Sequence, residues 1–120
     1  MQGMGELEAA VMDVLWCADG PLKVRDVLDR LDKGRAFAYT TVMTVLDNLH
    51  RKSWVDRELD GRAYQYRPTC TRAEASVRAL RAVLESSGDP DTVLLHFARS
   101  ASERESDALR KGLRGKRAGR

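Results

Sequence analysis

Mostly α-helix with one short β-ribbon is the fold class this sequence predicts, and three observations predict it. Apolar residues recur at the three- and four-residue spacing of a helix face in three successive segments before residue 52. Two β-prone runs, Trp54 to Leu59 and Arg62 to Arg67, are separated by Asp60-Gly61, a two-residue hairpin signal. After Pro68 the chain returns to amphipathic helix three more times, each start marked by a cap. Three helices running into a ribbon make a winged helix-turn-helix domain over residues 1–68. The later helices make a helical dimerisation region over 69–114. Residues 115–120 make a basic tail, expected to be disordered.

The first helix is marked by Leu7, Val11, Val14 and Leu15. Glu6 and Glu8 stand in its opening turn, where they complement the helix dipole. Trp16 continues its apolar side and is expected in the core, as is Cys17. Asp19-Gly20-Pro21 ends the helix. Val24, Val27, Leu28 and Leu31 mark the second helix, and Lys33-Gly34 is its stop signal. Asp26, Asp29 and Asp32 read as its solvated acidic face. Residues 35 to 37 form a short turn into the third helix.

The third helix carries the most informative pattern. Val42, Val45, Leu46 and Leu49 form the core stripe. Thr40, Thr41, Thr44, Asp47, Asn48 and Arg51 occupy the opposite arc, with Tyr39, Met43 and His50 on the flanks. Thr is a poor helix former, because its branched Cβ loses rotamer freedom. A face that needs only solubility is better served by Lys, Glu or Gln. Short hydroxyl side chains let a helix approach a surface closely and bond base edges or phosphates, while the Thr methyl can touch a thymine methyl.

The Asp60-Gly61 loop suits a type I′ turn, which needs φ > 0 at both positions. That loop pairs Leu59 with Arg62, Arg57 with Tyr64, and Val55 with Tyr66, all on one face. Val55 and Tyr66 then join the core, and Arg57 and Arg62 lie toward the tip, placed for phosphate contacts. Thr40, Thr41, Thr44, Asn48, Arg51, Arg57 and Arg62 are therefore the candidate DNA-binding residues.

Downstream, Thr71 with Glu74 is a capping box opening a helix to about Ser86, with Ala73, Val77, Leu80 and Leu84 apolar and Gly88 its stop. Asp89-Pro90 restarts a helix with Asp at the cap and Pro in the first turn. Its apolar residues are Val93, Leu94, Phe97, Ala98 and Ala101. Ser102 with Glu105 caps a last helix bearing Leu109 and Leu113. Three such helices are too short to bury a stable core alone. The economical partner is the same segment of a second chain, through Val77, Leu80, Leu84, Leu94, Phe97, Leu109 and Leu113.

The chain has 120 residues and a net charge of +3, unevenly spread. Residues 1–68 hold 10 Lys and Arg against 11 Asp and Glu, and residues 69–120 hold 11 against 7. The reading domain is thus not a basic body; its charge is arranged, with acids mainly in the first two helices and Arg on the third helix and the ribbon. Arg110 to Arg120 has six cations and no acid, which suits either non-specific phosphate affinity or a solvated tail with no role. There is no Gly-rich phosphate loop and no nucleophile elbow. His50 and His96 lack ligand-spaced partners, and Cys17 and Cys70 are too few and too far apart for a metal site, Cys70 reading as a linker residue. No enzyme, metal or cofactor is expected. Without an apolar run of spanning length or a signal-peptide pattern, the expected location is the cytosol.

The segments GELEAAVMDVLW, AYTTVMTVL, DGRAYQYRP and VLLHF together resemble the penicillinase-repressor family, the bacterial repressors of β-lactamase and methicillin-resistance genes. That resemblance implies a homodimer with N-terminal winged-helix domains and a C-terminal three-helix dimerisation region. It implies binding to a dyad operator, so that transcription is blocked. Thr40, Thr41, Thr44 and Asn48 then fall where the recognition helix meets the groove, and Arg62 on the wing. The family's induction implies a membrane sensor metalloprotease as partner, with repressor cleavage in the dimerisation region at an Asn-Phe bond. The corresponding pair here is His96-Phe97, a departure. Ser53 is a second departure, standing where the family often has Gly to end the helix in a left-handed residue. A winged-helix protein-protein adaptor that does not touch DNA is the alternative.

Overall fold

The computed structural model describes residues 4–31 and 36–118. In chain order the elements are α1 (Glu6–Cys17), β1 (Leu22–Lys23), α2 (Val24–Arg30), α3 (Tyr39–Arg51), β2 (Val55–Asp60), β3 (Ala63–Pro68), α4 (Arg72–Ser86), α5 (Pro90–Ser100) and α6 (Glu103–Ala118). The chain divides into two compact units, residues 1–77 and 78–120.

In the first unit the apolar stripes of α1, α2 and α3 close over one face of a three-stranded antiparallel sheet of order β1-β3-β2. Val11, Met12, Val27, Val42, Leu46, Leu49, Val55 and Tyr66 are its fully buried centre. Each such side chain contributes about 1.5–3 kcal/mol by leaving water, and Leu7, Val14, Trp16 and Leu28 pack around them. Met12 joins this centre although it lies outside the stripe read for α1. The strand β1 was not expected. It is two residues long, pairing Leu22 with Tyr66 and Lys23 with Gln65, and so brief a strand leaves no alternation to read. The expected stop signal at Lys33-Gly34 and the acid Asp32 lie outside the described residues, as does Arg35.

The hairpin register differs from the expected one by two residues. Asp60 pairs Ala63, Leu59 pairs Tyr64, Arg57 pairs Tyr66 and Val55 pairs Pro68. The loop is therefore Gly61-Arg62, not Asp60-Gly61. A type I′ turn on Asp60-Gly61 would place an aspartate at positive φ. In the observed loop positive φ falls on Gly61 alone, at +70°, which is what a type II′ turn asks of its first central residue. A slip of two preserves the faces. Val55, Arg57 and Leu59 still share a side with Tyr64 and Tyr66, but Arg62 leaves the ladder for the tip and Arg57 moves toward mid-ribbon.

The two cysteines exchange their expected roles. Cys70 is buried and Cys17 exposed. The Trp16 indole Nε1 donates to the Cys70 carbonyl at 2.8 Å, which draws the start of α4 against α1 and seals Cys70 in, while the last turn of α1 leaves Cys17 facing water. Ala75, not Ala73, is the α4 alanine that is buried. Arg72 ties the same junction, stacking over Trp16 at 5.1 Å and bonding Asp13 at 2.7 Å.

The three downstream caps form as their residues dictate. Thr71 Oγ1 accepts from Glu74 N while Glu74 Oε1 accepts from Thr71 N. Ser102 and Glu105 exchange the same two bonds. Asp89 accepts from Thr92 N and Thr92 Oγ1, with Pro90 opening α5. Gly88 holds φ +82° before that cap. The tail does not fray at Leu113 as expected, since α6 continues to Ala118. Arg, Lys and Ala are strong helix formers, and cations in a last turn meet the negative end of the helix dipole.

Candidate nucleic-acid interface

The platform begins with the division of α3 into two faces. Val42, Val45, Leu46 and Leu49 are buried. Thr40, Thr41, Thr44 and Arg51 are exposed, and Asp47 and Asn48 are half-buried. Tyr39 and Met43 are exposed on the flanks. The apolar stripe anchors the helix so firmly that its opposite arc is presented as a fixed surface. Thr44 Oγ1 donates back to the Thr40 carbonyl at 2.9 Å. Its proton is thereby spent inside the helix, and what it offers outward is an acceptor lone pair and a methyl group. Arg51 Nη2 donates to Asn48 Oδ1, so these two candidate residues act as a pair.

Both ends of α3 are pinned. At its start Arg25 of α2 stacks over the Tyr39 ring at 5.4 Å. At its end Ser53 takes φ +67°. Ser53 N donates to the His50 carbonyl at 3.0 Å and Trp54 N to the Leu49 carbonyl at 2.9 Å, the two bonds of a Schellman stop with serine in the place usually given to glycine. Thr69 Oγ1 donates to the Ser53 and Trp54 carbonyls, and buried Trp54 locks the exit. Lys52, the residue before the stop, reaches Glu8 at 2.8 Å. Glu8 also accepts from Gly5 N at 2.8 Å and is nearly buried. It is a structural strut between α1 and the end of α3, not only the dipole partner expected. Burial alone would raise the Glu8 carboxyl, but the Gly5 N–H and the Lys52 ammonium outweigh it and hold the group below its ordinary value.

Besides the shared core, Arg57 ties the wing to this helix. Arg57 Nη1 bonds Asp47 Oδ1 at 2.9 Å, and its guanidinium lies 4.2 Å over the Tyr64 ring. A hydrogen bond to the Tyr66 hydroxyl is the first cause that holds Arg57 above its ordinary value. Burial pushes the Tyr66 hydroxyl up. Together Asp47, His50, Arg51 and Arg57 line a cleft of about 310 Å³ between helix and ribbon. At the far edge Lys23 of β1 reaches Asp60 at 3.3 Å, which braces the tip that carries exposed Arg62.

Of the candidate residues, Thr40, Thr41, Thr44, Asn48 and Arg51 therefore share one exposed face, and Arg62 stands on the ribbon tip. Arg57 is engaged by Asp47, Tyr64 and Tyr66. Asp47 was visible on the polar arc but was not singled out, because its partner lies ten residues away on another element.

The family model described as penicillinase repressor matches residues 4–115. The chain belongs to the penicillinase repressor family. Transcriptional regulator BlaI of Mycobacterium tuberculosis is 44% identical over 114 residues, covering 92% of this chain and 82% of that protein. An uncharacterised 16.5 kDa protein of Latilactobacillus sakei is 30% identical over 78 residues, covering 65% of this chain and 53% of that one. Among solved structures, MepR, a transcription regulator of the Staphylococcus aureus multidrug efflux pump MepA, superposes with a TM-score of 0.51 at 19% identity, covering 97% of this chain and 79% of its own. An ArsR-like transcriptional regulator from Rhodococcus sp. RHA1 gives 0.51 at 15% identity, covering 82% and 85%. These likenesses agree on the winged-helix fold. Among the described residues no helix is long and apolar enough to cross a membrane.

Proposed function

We propose that this penicillinase-repressor-family protein is a sequence-specific DNA-binding transcriptional repressor acting as a homodimer on a dyad operator. The observation that carries the reading is the exposed threonine face of α3, backed by a buried stripe and flanked by a wing with Arg62 at its tip. Thr40, Thr41, Thr44 and Asn48 approach base edges in the major groove, while Arg51 and Arg62 meet phosphates and set the register. Operator DNA is the partner.

The second copy is argued from the helices α4, α5 and α6. Val77, Leu80, Leu94, Phe97, Leu109 and Leu113 are 45% to 64% exposed, and Leu84 is half-buried. A water-soluble domain does not leave that many large apolar side chains on short helices without a partner surface. A second copy covers them and sets two reading heads on half-sites about one or two helical turns apart. A sensor metalloprotease acting at His96-Phe97 would have to unwind α5, since both residues lie inside that helix.

The test is an anisotropy titration of the purified chain against the DNA upstream of its own gene. Saturable binding that weakens steeply with salt is expected. Replacing Thr44 with Ala should relax sequence preference, whereas Arg62→Ala should weaken binding across all sequences and lower the salt slope by about one per half-site. Both variants binding like wild type would overturn the assignment.

A further inference from the structure

A carboxylate on a DNA-reading face is a liability unless something neutralises it, and α3 carries one at Asp47. Arg57 does the neutralising. It bonds Asp47 Oδ1 at 2.9 Å from the neighbouring ribbon, and its planar head is held from behind by the Tyr64 ring at 4.2 Å. The ladder fixes it further, since Arg57 stands directly opposite Tyr66, which is buried in the core. An arginine so placed has its fork committed on one edge and its face stacked on another. It is poorly disposed to leave for a phosphate.

Asp47 is disposed differently. Its side chain is 47% exposed, and only Oδ1 is taken by Arg57. It follows Thr44 by three residues on the same arc, so it stands one helical turn further along the reading face. A carboxylate in the major groove accepts from an exocyclic amino group, and cytosine N4 is the partner its geometry favours. It repels the carbonyl-rich edge of guanine.

We infer that Asp47 is a specificity-determining residue that reads a base amino donor, cytosine foremost, and that Arg57 is its positioning residue rather than a phosphate contact. This rests on the DNA-binding reading above. The same bond also ties the wing to the recognition helix, beside the core packing of Val55 and Tyr66.

The test uses the full chain and duplexes that the wild-type protein selects from a randomised library. Binding is measured for Asp47→Asn, Arg57→Gln and the double variant, each checked for folding by circular dichroism. Asp47→Asn is expected to bind within about threefold of wild type on the selected duplex and to lose its preference at one base pair per half-site. Arg57→Gln bares the carboxylate and is expected to lose about tenfold or more. The double variant is expected to return to within about threefold of Asp47→Asn, because the uncovered charge is gone. A double variant as weak as Arg57→Gln, with a salt slope lower by about one per half-site, would make Arg57 a phosphate contact and overturn the inference. An unchanged base preference in Asp47→Asn would overturn the reading role of Asp47. If wild type enriched no duplex at all, the DNA-binding reading itself would fall, and this inference with it.

Discussion

Serine at position 53 holds a φ of +67° that side chains with a Cβ seldom adopt. Both Schellman bonds form regardless, and Thr69 braces the exposed carbonyls. The strain is therefore carried by one residue and absorbed by its neighbours. Ser53→Gly should raise stability by about 0.5–1 kcal/mol, since relief of the left-handed penalty exceeds the added entropy of the unfolded chain; a thermal melt reads the rise in midpoint. Glu8 makes a second prediction, with a definite sign. Its folded-state value lies below the ordinary 4.5. Its contribution is therefore present above pH 4.5 and is lost as pH falls through the folded value. Glu8→Gln should cost about 1–3 kcal/mol near neutrality and should flatten the acid limb of a stability-against-pH curve below about pH 4.5. An acid limb as steep as wild type would place the sensitive group elsewhere. The departure at Ser53 was visible in the sequence, because helix stops have a narrow chemistry. The burial of Glu8 was not, because its partner Lys52 comes from another helix.

Helices were legible here because their periodicity and caps are local. The buried stripe of α3 is the one its spacing gives, and all three downstream caps are made by the residues expected. The ribbon was legible as a ribbon but not in register, since Asp60-Gly61 and Gly61-Arg62 are both plausible two-residue loops. What separates them is which residue takes positive φ, and that is Gly61 alone. Gly61→Ala should accordingly cost about 1 kcal/mol, whereas Asp60→Ala should cost little beyond its exposed contact with Lys23, which is weak. A urea titration of the two variants checks this; equal losses would restore the other loop. The slip also explains the change in Arg57. Two residues along the ladder take it from the tip to a place opposite Tyr66, where Asp47 of α3 and the Tyr64 ring engage it.

At the scale of the whole molecule, the two compact units divide the work. The first carries the threonine face of α3 proposed to read DNA, and the second exposes apolar side chains that a second copy would cover. Charging that surface should separate the copies without disturbing the first unit. Leu94→Glu or Leu113→Glu should give a monomer by sedimentation velocity and weaken operator binding by far more than the loss of any one base contact, because paired half-sites bind with an effective concentration that single heads lack. A dimer that persists in both variants would move the interface elsewhere. The exposed apolar side chains of these helices were legible in the sequence, because short amphipathic helices cannot cover themselves. The pairing of Asp47 with Arg57 needed the fold. The most direct test of the central claim is a salt-resolved titration of the wild-type chain against its own upstream duplex and a scrambled duplex of equal length. Tight binding to the first, a steep inverse dependence on salt, and a preference that shrinks in Thr44→Ala are expected. Equal, weak binding to both duplexes even at low salt, or a Thr44→Ala variant with full preference, would contradict it.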